Sequence, residues 1–337
     1  MNAIEGTAFW GVVMTVLLSD WGRDHATGRS IVGSEWACKA MAGCGVAAAL
    51  TFAFTSLLPA SVEMSEAPHA SALAQTKTNG GTAAGARRPE RTFGGYGGVA
   101  YTHPTTVTIN GSKTADLTVK NFDWLGRPFK APVYYGLRTQ RWAPDSPFGA
   151  MVDFTHAKAI AKPDGTASFS GNLAGKPLPK TAAIKDIFKH LEFSHGHNIL
   201  TLNALLRLAP SWARIRPYVG AGAGASFPHT EIGMHALGKR TYEYQFAGFA
   251  GQALAGLEIQ LGRASIFIEY KFTYAPYDVP LSHEPYGWLF VTDVWRQFSN
   301  WMSGVKPPGG RLRATLITHH GIAGILVKNH SPMATAN

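Results

Sequence analysis

Charge is scarce in this sequence of 337 residues, where Asp, Glu, Lys and Arg together make up 15%, against roughly a quarter in ordinary soluble domains. Something other than water must therefore solvate part of the folded surface. Cysteine is nearly absent, and both residues, Cys38 and Cys44, lie near the N-terminus, so no disulfide can staple the rest of the chain. Long apolar runs are lacking too. Only Met41 to Ala60 qualifies, and beyond it nothing approaches the ~20 residues of a spanning helix. No strand-linked G-x-G-x-x-G, P-loop, G-x-S-x-G or H-E-x-x-H is found, which argues against a tightly held nucleotide and against a flavin or nicotinamide site. Internal repeats and coiled-coil heptads are missing as well.

What is present begins with the apolar run itself, which follows Arg23, Arg29 and Lys39 in the order of the n-region and h-region of a secretory signal. Ala70-Ser71-Ala72-Leu73-Ala74-Gln75 offers an A-x-A-like cleavage site. The alternative is a single membrane-spanning anchor, and on either reading the remainder leaves the cytoplasm. Residues 1–74 are thus read as an N-terminal extension and signal peptide with its apolar core at 41–60. Residues 75–92 hold almost no large apolar side chain and are expected to form a flexible linker. The formal net charge of +10 suits an anionic lipid surface, and an exported chain meets no nucleic acid.

From residue 93 to 328, segments of about ten residues alternate apolar with polar or small side chains between turn signals. They are Tyr96 to Thr102, Val133 to Trp142, Gly149 to Lys158, His197 to Leu208, Arg216 to Phe227, Tyr244 to Gln260, Ser265 to Tyr274 and Leu312 to Val327. The fold class this predicts is all-β, a closed antiparallel transmembrane barrel of about eight strands. Connections alternate between short and long, the long ones spanning 103–132, 159–194, 228–243 and 275–311. Outer-membrane barrels keep short periplasmic turns and long external loops, so the first strand should run outward and the chain should lie in a bacterial outer membrane. Such a protein has the outer-membrane assembly machinery as a partner. Ile266, Ile268, Tyr270, Phe272 and Tyr274 should face lipid, and Phe267, Glu269, Lys271 and Thr273 the lumen. The glycines at 220, 222 and 224 either leave lumen volume or permit strong strand curvature. Aromatic girdles are expected from Trp142, Phe148 and Trp212 at the inner turns and from Tyr101, Tyr242, Tyr244, Phe272 and Tyr274 at the outer ends. Residues 329–337 read as a tail.

Histidine placement carries the candidate chemistry, because none of the 13 histidines falls at an inner turn. His156, His195, His197, His229 with Glu231, and His319 and His320 should gather at the outer mouth, with Glu269 and Lys271 pointing inward below. His195 and His197, two apart on a strand, should share a face and so form a chelating pair; equally, they could be rim histidines bonded to loops or lipid phosphates. Lys158 and His156 share the parity of Val152 and Phe154, which turns them toward lipid and toward a lipopolysaccharide phosphate.

The blocks GGYGGVAYTHP (Gly94 to Pro104), RPFKAPVYYG (Arg127 to Gly136), VDFTHAK (Val152 to Lys158), SHGHN (Ser194 to Asn198), RPYVGAGAG (Arg216 to Gly224) and FIEYK (Phe267 to Lys271) resemble the lipid A oxidase family of rhizobia and their relatives. The resemblance covers residues 94 to 327. It implies an outer-membrane enzyme that oxidises the proximal glucosamine of lipid A to 2-aminogluconate with molecular oxygen. Lipid A of the outer leaflet and oxygen would then be its partners. Topology, not the family, supplies the expected site: His156, His195, His197, Glu269 and Lys271 for catalysis, and Lys158, His229, Glu231 and His320 for substrate. The cofactor is unknown, a divalent or redox metal on His195, His197 and His319 being one expectation. The rival readings are a lipid A deacylase built on Ser194 and a non-enzymatic OmpA-like barrel.

Overall fold

The computed structural model describes residues 89–283 and 289–328. The signal segment, both cysteines, most of the expected linker and the tail lie outside the described residues. Sixteen strands follow in chain order: β1 (Glu90–Thr102), β2 (Thr105–Asn110), β3 (Ala115–Phe122), β4 (Trp124–Leu125), β5 (Tyr135–Trp142), β6 (Phe148–Ala161), β7 (Thr166–Leu173), β8 (Lys176–Pro177), β9 (Thr181–Ala183), β10 (Phe188–Arg207), β11 (Ile215–Ser226), β12 (His229–Met234), β13 (Arg240–Tyr244), β14 (Gly248–Leu261), β15 (Ala264–Pro280) and β16 (Arg311–Lys328). Two helices interrupt them, a single turn α1 (Ile184–Ile187) and α2 (Phe290–Met302).

Eight of these strands form the barrel. The antiparallel order is β1-β5-β6-β10-β11-β14-β15-β16, and β1 pairs with β16 from Thr92↔Lys328 to Thr102↔Thr318, closing the ring. Closure leaves no edge, which is what a bilayer demands of a sheet. All eight expected strands are there, and residues 143–147, 208–214 and 262–263 are the tight turns at one end. Val99, Leu202, Val219, Phe249, Ile266, Ile268, Tyr270 and Ile325 stand exposed on the outside. That apolar belt places the protein in the bacterial outer membrane.

β1 begins at Glu90, inside the segment read as linker, because the Glu90 carboxylate is held by Arg207, Arg216 and Lys328 at 3.1–3.3 Å. Phe148 and Trp212 are exposed at the inner turns as a girdle requires. Trp142 is not. It points into the lumen beneath the Arg207 guanidinium, 4.0 Å from the ring centroid, where cation–π attraction outweighs an interfacial seat. Along β11 the glycines are structural: a Cβ on Gly224 or Gly222 would overlap the carbonyl oxygens of Leu200 and Leu202 in the neighbouring β10.

Paired charged side chains occupy the lumen. Arg138 on β5 makes two 2.8 Å bonds to Glu269 on β15 and one of 3.1 Å to Asp153 on β6. Lys271 donates to Asp153 at 2.5 Å, to Tyr96 at 2.7 Å and to Thr155 at 2.9 Å. Tyr218 donates to Glu269 at 2.7 Å, and Gln252 donates to Asp153 at 3.2 Å. These charges are paired and solvent-excluded, the condition under which buried ions persist.

The largest departure from the sequence reading lies outside the membrane, where the long connections fold. β2, β3 and β7 extend the sheet from the outer part of β16, and β12 and β13 extend it from β10. The reason is alternation that is easily taken for loop: Val107 and Ile109, Leu117 and Val119, Ala167 and Phe169 point one way. They meet Phe188, Leu191, Phe193, Ile232, Tyr277, Val279, Leu312 and Leu316 in a single apolar core. The outer mouth is therefore closed over by hydrophobic packing.

Candidate functional site

The residues expected at one mouth divide among three surfaces. His197, His320, Glu269 and Lys271 face inward. His197 bonds through Nδ1 to the Tyr277 hydroxyl, and His320 lies between Tyr134 and Thr273, 3.0 Å from each. His319 stands on the outer surface of β16, bonded to Tyr270 at 2.5 Å and to His103 at 2.7 Å. The third group, His156, Lys158, His195, His229 and Glu231, occupies the outer wall where β6, β10, β12 and β13 meet. The expected metal set of His195, His197 and His319 is thus not brought together.

The pair His195 and His197 fails for a local reason. Between Phe193 and His197 the β6–β10 register slips, with Phe193↔Ala159 followed by His197↔Ala157, and Gly196 sits at φ 141°. This bulge adds residues to one strand only, so the two imidazoles do not keep common parity. His195 turns to the outer wall, 5.0 Å from the His229 ring and 5.6 Å from Tyr242 between centroids. His197 turns inward to Tyr277.

The outer-wall group is built by alternation. Leu191, Phe193, Ile232 and Met234 point into the apolar core, which turns His190 and Glu192 on β10 and His229 and Glu231 on β12 outward. Glu192 pairs directly with Glu231 across the two strands. His190 Nδ1 lies 3.0 Å from Glu192 and 3.4 Å from Glu231, His195 Nδ1 lies 4.0 Å from Glu231, and Arg240 on β13 donates to Glu231 at 2.8 Å. Burial pushes the Glu231 carboxyl up, and the Glu192 carboxylate adds to this against the opposing pull of His190 and Arg240. Beside them His156 is stacked on Tyr135, with centroids 4.7 Å apart, and bonded to Asn198 at 2.8 Å. Lys158 is covered by the segment before β5, donating to the Lys130 carbonyl at 2.6 Å, while Arg127 and Lys130 themselves are exposed above it.

Height along the barrel can be gauged from β6. Glu192 pairs with Ile160, close to the outer end of that strand. At roughly 3.3 Å per residue and about 40° of tilt, Ile160 lies about 30 Å from the inner turn, just past an apolar band of about 25 Å. The group thus sits level with lipid headgroups and looks outward.

Helix α2 borders this group and was not foreseen. Its polar side is tied down: Asp293 accepts from the Tyr244 amide at 3.0 Å, Gln297 bonds both backbone groups of Phe246 at 2.8 and 3.0 Å, and Arg296 pairs with Glu243. Its other side carries Val291, Trp295, Phe298, Trp301 and Met302, with Trp295 68% and Trp301 73% exposed. That inverted arrangement continues the belt through Phe249, itself 75% exposed, and marks an interfacial helix. A spacing of 291, 295, 298 and 302 was the available signal.

Burial raises the Asp293 carboxyl to about 6, with Glu243 adding to the shift and Tyr244 and Arg296 opposing it. A carboxyl raised in the folded state binds its proton more tightly there than when released, so anchoring is favoured below the folded value and weakens as pH rises through about 6. Amide exchange across 290–302 should accordingly be faster at pH 8 than at pH 5, after correction for intrinsic exchange; equal protection would show that Asp293 does not govern the docking.

Ser194 Oγ approaches His195 Nδ1 at 3.3 Å, the contact a deacylase would need. Glu231 approaches the same nitrogen, whereas a relay requires serine and acid on opposite ring nitrogens.

No family model and no curated protein matches the chain. Among solved structures it is similar to the outer membrane protein OprG from Pseudomonas aeruginosa, at 11% identity and TM-score 0.39, over 72% of this chain and 96% of that one. Neisserial surface protein A matches at 10% identity and TM-score 0.32, over 72% and 100%. The outer membrane protease OmpT from Escherichia coli matches at 8% and 0.35, over 71% and 97%. At these values the likenesses say nothing further about this chain, whose barrel is established by its own strand pairing.

Proposed function

We propose that this chain is an outer-membrane enzyme that acts on lipid A from the outer wall of its barrel, oxidising the proximal glucosamine to 2-aminogluconate with molecular oxygen. The observation that supports this reading is the outward, headgroup-level position of His190, Glu192, His195 and Arg240, with His229 and Glu231 packed beneath them. An enzyme for a soluble substrate would be expected to use an open mouth, and here the mouth is packed with apolar side chains. The choice of oxidation comes from the sequence resemblance.

The chemistry balances simply. The anomeric carbon of the hemiacetal gives up two electrons and two protons, oxygen takes them up as hydrogen peroxide, and water opens the resulting lactone to the carboxylate. His195, half-buried and close to Glu231, is the group placed to take a proton. Arg127 and Lys130 are the cations placed to meet a phosphate. Glu269 and Lys271, each fully engaged in the lumen, are assigned no step.

Purified, refolded chain mixed in detergent micelles under air with lipid A whose proximal anomeric hydroxyl is free, the hemiacetal the step requires, should yield lipid A heavier by one oxygen, with peroxide formed in equal amount, and neither in anaerobic buffer. Unchanged lipid A under air sinks the oxidation and leaves a structural barrel. Loss of an acyl chain would replace it with hydrolysis.

A further inference from the structure

His190 and Glu192 are two apart on β10 and share its outer face, and Glu231 stands directly opposite Glu192 on β12. Like charges facing each other across an antiparallel pair are destabilising, and here Glu231 is 5% exposed. The register cannot relieve them. A slip of one residue would turn Leu191, Phe193, Ile232 and Met234 out of the core and the carboxylates into it. Two carboxylates are therefore held together by the apolar packing behind them, and beside the imidazoles of His190 and His195 the permanent cation on Glu231 is Arg240, whose side chain is 42% exposed.

The spacing fits an ion. His190, Glu192 and Glu231 each bring one ligand atom within 4.8 Å of the others, and the separations from His190 Nδ1 are 3.0 and 3.4 Å. Around a centre with bonds of about 2.1 Å, neighbouring ligand atoms lie about 3.0 Å apart at right angles and about 3.4 Å apart at the tetrahedral angle. His195 Nδ1, 4.0 Å from the second oxygen of Glu231, is within a side-chain adjustment of the same centre, because Gly196 in the bulge frees its backbone from ladder geometry.

We propose that His190, Glu192 and Glu231, with His195 as fourth ligand, form a binding site for a divalent first-row transition ion on the outer wall of the barrel. A set of two imidazoles and two carboxylates favours Zn2+, Mn2+ or Fe2+ over the all-oxygen sites of Ca2+ and Mg2+. Arg240 competes with the ion for Glu231 and swings away over Tyr242, on which it already rests 4.5 Å from the ring centroid. The site stands on these contacts alone, whether or not lipid A is the substrate.

The test uses full-length protein without a histidine tag, refolded in detergent, stripped with chelator and titrated with Zn2+ or Mn2+ alone. One ion per chain is expected by elemental analysis. His190→Ala and Glu231→Gln should each weaken calorimetric binding by more than about tenfold, and Arg240→Ala should strengthen it severalfold. Co2+ serves as a second probe that needs no variant: its visible absorption in the wild-type protein should be that of a four- or five-coordinate nitrogen and oxygen site, not of the hydrated ion. The proposal is overturned if stripped wild-type protein takes up no ion in the titration and leaves the Co2+ spectrum hydrated, or if the folded variants bind as tightly as wild type. Ion bound without any change to lipid A would leave this site standing and remove the oxidation; oxidised product from a protein that takes up no ion in the titration would do the reverse.

Discussion

Replacing Arg138 by leucine should lower the free energy of unfolding by about 3–5 kcal/mol, the cost of leaving buried carboxylates without their partner. Arg138 joins three strands, holding Glu269 on β15 and Asp153 on β6 from its place on β5, and all three side chains are sealed from solvent. Lys271 remains on Asp153, but Glu269 keeps only the Tyr218 hydroxyl. Equilibrium urea unfolding in lipid vesicles measures the loss. A change below about 1 kcal/mol, the range of exposed pairs, would show that water reaches these groups and that the lumen is open. The same variant bears on chemistry, since the folded fraction should still modify lipid A if Glu269 only fills the barrel.

His195→Ala should reduce lipid A oxidation by roughly 10²–10⁴-fold in kcat, the usual contribution of a positioned acid or base, while the unfolding midpoint changes little at this half-buried position. Arg127→Ala with Lys130→Ala should act differently. Loss of charge-assisted contacts to a phosphate, about 1.5–3 kcal/mol each, should raise KM by tenfold or more and leave kcat nearly intact. Steady-state rates from oxygen consumption separate the two. If His195→Ala retains wild-type kcat, the proton acceptor lies elsewhere on the outer wall or the oxidation reading fails. A KM unmoved by removing both cations would take the headgroup away from that segment.

The metal site and these kinetic effects are linked in one respect only. An imidazole that ligates an ion through Nδ1 carries its proton on Nε2 and accepts no other, so His195 is ligand in the ion-bound protein and proton acceptor only in the ion-free one, and His190→Ala, which spares His195, tells the roles apart: an ion needed for oxidation makes His190→Ala lose product, and an ion that only occupies His195 does not.

Much of the barrel was legible because closure in lipid imposes a period of two and a strict alternation of turn lengths. Ile266, Ile268 and Tyr270 against Phe267, Glu269 and Lys271 fixed both faces of β15, whereas the use of the β11 glycines was left open between lumen volume and curvature, and the approach of the β10 carbonyls decides it. The external loops were not legible. TTVTIN and ADLTVKNF are too short and too polar at every second position to announce strands, and they are strands only because the outer parts of β10, β15 and β16 present an apolar surface for them to cover. That burial also closed the mouth where the histidines had been expected.

The sequence by itself determined the architecture, the gathering of the short turns at one end, the inward seats of Glu269 and Lys271, and the lipid-side parity of His156 and Lys158. Tertiary structure alone decided which histidines meet. A bulge at Gly196, invisible to periodicity because it changes the count on one strand of a pair, turned His195 and His197 to opposite sides of the wall. Pairing of β12 with β10 put Glu231 against Glu192 and His190, and both partners of that contact lie far apart in the chain. Local pattern sets the face a side chain takes; only the register between distant strands sets its neighbour.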